Sequence, residues 1–289
     1  MTGVQTCALP ISTAAQPAPA NPSAPATSLS AFPPSSRAII EEGLRRLTDF
    51  QDEAYAQKYL ARLARFATLD AETFVELARH LAVRMTSEDV IRVAQLKLRE
   101  TRLARVNAEA KARPGDIVAI TEFLKPGFEE MFSILPVGLA RKSLAFVERR
   151  GWADKSFPMK VRTTGFRGFM KLRILSGMKF LRPRSLRAAH ENEWIERWLS
   201  LVERGQMVDP VVASEIIETA SLVRGYGDTW KRGHANWTRI ANEIIEPMLA
   251  DPKPHFADAV MQARIAANAD PEGKRLSAVI EGLRQLGEA

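Results

Sequence analysis

The chain runs to 289 residues, with 41 Lys plus Arg against 34 Asp plus Glu, a formal net charge of +7, and one cysteine. An apolar share of 46% and a charged share of 26% match a soluble globular protein of one large or two smaller domains. The lone Cys7 excludes a disulfide framework and any cysteine-ligated zinc or iron–sulfur centre within this chain, and no apolar run approaches the ~20 residues of a membrane-crossing helix.

Residues 1–36 carry no charged side chain and hold seven of the 17 prolines. The opening MTGVQTCALPIS resembles the translated sequencing-adapter read-through that begins many metagenome-derived genes. On that reading residues 1–12 are an artefact, Cys7 is not a native cysteine, and coding sequence has been lost upstream. Residues 13–36 are Ala/Pro/Ser, with too few large apolar side chains to offset the entropy of ordering, and predict a disordered linker. A secretory signal is unsupported, because no Lys or Arg precedes Arg37 and the apolar run Ala8 to Ile11 is short and broken by Pro10. The expected compartment is the cytoplasm.

From Arg37 to the end the pattern is helical. Ile40, Leu44, Leu47, Phe50 and Ala54, then Tyr55, Tyr59, Leu63 and Phe66, recur at three- and four-residue steps. Thr86 to Asp89 reads as a capping start for a helix through Val90, Val93, Leu96, Leu103 and Val106. Asp209-Pro210 is an N-cap with proline at the first helical position, and Val212, Ile216, Ala220 and Val223 give a buried stripe for Gly225 to close. Asp228 is expected to cap the next helix, through Trp230, Trp237, Ala241, Ile244 and Met248. Shorter helices are predicted near 254–268 and 272–286. Two β-branched segments, 116–123 and 157–164, break the pattern and suggest a small paired ribbon. The fold class expected is mainly α: about ten helices over 37–289, with at most a two-stranded β ribbon. No fixed repeat argues for a solenoid.

Residues 141–187 hold 14 Lys or Arg and two acids, Glu148 and Asp154, with six aromatic residues interleaved. Cations that neutralise phosphates beside stacking rings would suit nucleic acid. The spacing of Phe166, Phe169 and Met170 instead suggests core packing, and a protein interface absorbs the same charge. Attachment to anionic lipid is a weaker third idea. Gly165-Phe-Arg-Gly168 matches a nucleic-acid-clamping GxxG loop only superficially and reads as a strand-to-helix turn. Gly225-Tyr-Gly-Asp-Thr-Trp230 has Trp where a dinucleotide fingerprint needs its third glycine, and reads as a helix–helix corner. There, Tyr226 and Asp228 could present polar groups to a partner. Glu76 and His80 share a helix face, but a metal needs three or four converging ligands. His190 falls with Leu186, Trp194 and Trp198 and is expected to pack half-buried. No nucleophile elbow, Walker loop or His–Cys pairing is present, so no catalytic, cofactor-binding or metal residue is assigned.

Four separated phrases, IIEEGLRRLTDFQDEAYAQKYLARL (39–63), ITEFLKPGFEEMFSILPVGLAR (120–141), MKVRTTGFRGFMKLRIL (159–175) and LVRGYGDTWKRGHANW (222–237), resemble the C-terminal helical region of the beta subunit of indolepyruvate oxidoreductase. A related region closes the long, fused indolepyruvate:ferredoxin oxidoreductases. The resemblance implies a piece of a 2-oxoacid oxidoreductase that decarboxylates aryl pyruvates, joins the acyl group to coenzyme A and passes electrons to ferredoxin. Thiamine diphosphate and iron–sulfur clusters would sit on the partner alpha subunit and carry the hard chemistry. This chain departs from the pattern in lacking the subunit's N-terminal α/β domain, which would be a partner in cis. The implied role is therefore an interface domain, silent alone. Its candidate contact residues are Arg162, Arg167, Lys171 and Arg173, with Tyr226 and Asp228 at the corner. The rival reading is a standalone nucleic-acid binder using 141–187.

Overall fold

The computed structural model describes residues 29–113, 115–116, 118–153, 155–225 and 227–288, with side chains described up to 285. The expected artefact 1–12 with its Cys7, the linker residues 13–28 and the corner residue Tyr226 lie outside the described residues. The described part of the expected linker is packed: Phe32 is buried, its ring 5.6 Å from that of Phe74, and Pro34–Ser36 forms a 3-10 turn.

The architecture is mainly α with one two-stranded ribbon. One layer of the body is α1 (Arg37–Phe50), α2 (Glu53–Leu63) and α3 (Ala71–Met85). Asp52 and Asp70 cap α2 and α3 by accepting first-turn amides, as short carboxylates at an N-cap do. The middle of the chain forms α4 (Val90–Lys97), α5 (Glu100–Glu109), β1 (Thr121–Leu124), α6 (Phe128–Phe132), α7 (Val137–Arg149), β2 (Met159–Arg162) and α8 (Phe166–Gly177). A 3-10 run, Met178–Arg184, leads into α9 (Leu186–Val208), α10 (Pro210–Glu218) and α11 (Gly227–Ile240). One π-helical turn joins α11 to α12 (Glu246–Ala250), and α13 (Phe256–Ala269) and α14 (Lys274–Glu288) follow. The described residues thus show the expected mainly α class with one two-stranded ribbon, some of the predicted runs being divided into shorter helices.

The body's core gathers α1–α3 and α9–α14 around three tryptophans. Trp194 stacks on Trp198 and meets Trp237 edge-on. Trp198 donates its indole N–H to Ile216 O at 3.0 Å and Trp237 donates to Thr219 Oγ1 at 3.2 Å, so neither ring is buried at the expense of its polar atom.

Four local expectations are corrected. The helix expected over 86–106 breaks at Leu98–Arg99, which lets Lys97 and Arg102 both reach Glu122 while Arg99 reaches Asp49. The helix from Pro210 stops at Glu218 and tightens into a 3-10 turn, Thr219–Leu222, that aims Thr219 at Trp237; Gly225 still turns the chain at φ +73°. Asp228 does not precede α11 but lies within its first turn. His190 is exposed, because α9 is rotated so that Glu191, not His190, joins the Trp194–Trp198 face.

The ribbon is antiparallel, pairing Thr121 with Arg162 and Phe123 with Lys160, as the two β-branched segments predicted. Opposite residues share a face, so Thr121, Phe123, Lys160 and Arg162 lie on one side and Glu122 and Val161 on the other. Val161 is buried and Phe123 is 76% exposed, which identifies the inner and outer faces.

Candidate functional site

The middle of the chain is built unlike the body. Among the described residues, exposed large apolar side chains concentrate between Leu103 and Phe180; Phe166 is 78% exposed, Phe180 69% and Ile174 62%. Phe169 and Met170 are exposed as well, so the core role expected for this aromatic spacing is overturned. The buried contact of α8 is Leu172 instead, and the phenylalanines at its N-terminal end face solvent. Large apolar side chains left exposed along one segment of a folded domain are candidates for a contact face.

The charge is equally one-sided. Of the 14 cations in 141–187, only Arg182 and Arg187 form ion pairs among the described residues. Arg182 is no surface group: its guanidinium forks onto Asp89 at 2.6 and 3.0 Å, lies 3.9 Å from the Phe50 ring centre and donates to Phe50 O. It anchors the 3-10 run to the ends of α1 and α4. Arg187 pairs with Glu191 at 2.7 Å and stacks over Trp230 at 4.2 Å.

Three of the six candidate residues converge. Arg162, Arg167 and Lys171 line one open cleft of about 320 Å³, together with Lys160, Val161, Gly165 and Gly168. The geometry follows from the local sequence. Lys160 and Arg162 are two apart on a strand and share its outer face, while Arg167 and Lys171 are four apart on a helix and share one stripe. The turn Thr163 to Gly165 brings these pairs together. Gly168 permits the approach, since a Cβ there would stand 2.0 Å from Arg162 O. The GxxG is therefore a strand-to-helix turn whose second glycine is required by packing. Arg173 is exposed on α8 but does not line the cleft, and Asp228 is exposed at the start of α11. Lys160 was missed, although its spacing from Arg162 on a segment read as a strand signals it.

Gly227 and Lys231, at the start of α11, meet α6. Gly227, at φ +57°, comes so close to Glu130 that a Cβ would stand 2.7 Å from the carboxylate, and Lys231 pairs with Glu129 at 2.5 Å. That pairing holds the Lys231 ammonium above its ordinary pKa.

Two further polar clusters join distant elements. Glu191 is buried between Arg187 and Arg84; burial pushes its carboxyl up against the opposing pull of these two charges. Burial likewise pushes Arg84 down, to about 10. Glu191 stands three residues before Trp194 on an apolar stripe, a signal available in the sequence. Glu76, His80 and Glu218 offer ligand atoms within 4.8 Å of one another, the third arriving from α10. Arg79 holds Glu76 at 2.6 Å and Arg264 lies 3.9 Å from Glu218, so cations already compensate both carboxylates. Hydrogen bonding with His80 holds Glu218 below the ordinary carboxylate range. The group ties α3, α10 and α13 together.

No helix among the described residues is long and apolar enough to cross a membrane. Neither curated proteins nor solved structures give a match. The profile of a family of unknown function, DUF6537, matches residues 36–243, which takes in the α1–α3 layer, the ribbon, the basic cleft and the tryptophan core. The chain belongs to this family.

Proposed function

We propose that this chain is the helical interface domain of the beta subunit of an indolepyruvate oxidoreductase, docking onto the thiamine-binding alpha subunit without performing chemistry itself. The observation that carries the interface role is the surface between Leu103 and Phe180, where exposed apolar side chains lie among cations with no carboxylate partner among the described residues. A partner face with an apolar centre and acidic rim would bury the first and neutralise the second. The oxidoreductase assignment rests on the resemblance of the four phrases given above. In that complex the alpha subunit supplies thiamine diphosphate and iron–sulfur clusters, with coenzyme A and ferredoxin as co-reactants. The same reading puts the chain in the cytoplasm.

Co-expression with such an alpha subunit tests the proposal. The chain is expected to co-purify with it, and Ile174→Asp with Phe180→Asp, on side chains outside the basic cleft, to weaken capture by about tenfold or more. Failure to co-purify would remove the assignment. Indolepyruvate-dependent reduction of ferredoxin by the purified chain alone would remove the claim of catalytic silence.

A further inference from the structure

We propose that the cleft between β2 and the start of α8 is a binding site for a small ligand carrying more than one phosphate. Lys160, Arg162, Arg167 and Lys171 line one open concavity of about 320 Å³, within the usual size range for a small-molecule site. None of the four has a carboxylate partner among the described residues. The nearest acid across the ribbon cannot serve: Glu122 opposes Val161 on the inner face, where Lys97 at 2.6 Å and Arg102 hold it. In the body, by contrast, Arg62, Arg65, Arg79, Arg204 and Arg264 are each paired with a carboxylate.

Four like charges in one cleft repel one another, and arginine with lysine at four-residue spacing on α8 destabilises that helix. A concave, low-dielectric wall also focuses their field, raising the local concentration of anions. Phosphate answers this arrangement. Its oxygens take the planar fork of Arg162 and Arg167 as paired acceptors, and the ammonium groups add point charge. Four cations exceed what one phosphate needs, which favours a diphosphate or longer group. Phe123 lies on the same ribbon face, its ring centre 5.5 Å from the Lys160 ammonium. The four cations form one short concavity instead of a stripe, so a compact ligand fits better than a nucleic-acid strand.

The inference does not depend on the identity of the docking partner and is tested on the chain alone. Calorimetric titration with inorganic pyrophosphate, and with ADP, is expected to show saturable binding at one site. The affinity should fall severalfold as salt rises from about 50 to about 200 mM. Arg162→Ala with Lys171→Ala should weaken binding about tenfold or more with the circular-dichroism melt unchanged. Arg141→Ala with Arg184→Ala removes two cations of the same segment that have no carboxylate partner among the described residues and lie outside the cleft, and should leave binding intact. Absence of saturable pyrophosphate binding would overturn the proposal, as would an equal loss in both double variants. Binding of a single-stranded RNA that pyrophosphate does not displace would overturn it in favour of a nucleic-acid surface.

Discussion

Replacing Arg182 with alanine tests how the basic face is attached to the body. Arg182 is 5% exposed and Asp89 is 8% exposed, and the guanidinium contacts both carboxylate oxygens, the Phe50 carbonyl and Gln51 Oε1 at 3.3 Å. Truncation leaves the Asp89 carboxylate buried, with the Arg92 amide at 2.6 Å as its remaining donor. Breaking a buried pair from one side costs about 3–5 kcal/mol, chiefly because the surviving charge has lost its compensation. For a domain of this size that lowers the melting temperature on the order of 10 °C. Arg182→Met with Asp89→Asn removes both charges, keeps an N-cap side chain for α4 and refills part of the volume, so it should recover most of the loss. Urea denaturation of wild type, single and double variants measures this directly. A single variant within about 1 kcal/mol of wild type, or a double variant as unstable as the single, would show that the pair is not the anchor described.

Gly168→Ala places a Cβ 2.0 Å from Arg162 O, a main-chain atom that cannot swing aside, and should cost about 1–3 kcal/mol and reduce pyrophosphate binding. Gly165→Ala meets nothing closer than 3.5 Å and should be near neutral in the same urea titration. Thr219→Val leaves the fully buried Trp237 indole N–H without its acceptor and should destabilise by about 1–3 kcal/mol in thermal melts. Burial, with the charges of Arg187, His190 and Arg197 and against the weaker pull of Glu193, holds His234 below its ordinary pKa. The folded state therefore binds fewer protons than the unfolded state, so stability present above about pH 6.5 is lost as pH falls through the lower folded value. His234→Gln should flatten that dependence of the urea midpoint, and identical slopes for the two proteins would exclude it.

Much of the fold was legible because its causes are local. Capping residues followed by apolar periodicity located the starts of α4 within 86–89 and of α10 at Asp209, and β-branched runs located both strands of the ribbon. Gly165 and Gly168 read correctly as a turn between strand and helix. The expectations that failed depended on partners far away in the chain. Helical spacing at Phe166, Phe169 and Met170 is the same whether a face meets a core or solvent, and only the position of α8 at the edge of the molecule decides between them. Charge is likewise a composition until it is placed: Arg182 and Arg187 counted with the basic segment, yet Asp89 and Glu191 neutralise them inside the fold. Lys160, Arg162, Arg167 and Lys171 keep their charge at the surface because tertiary packing turned Glu122 to the other side of the ribbon. Sequence by itself determined which backbone can be helix, strand or turn, since those preferences act over a few residues. Which charges are free and which rings are bare was decided by tertiary structure, because each depends on what lies across space.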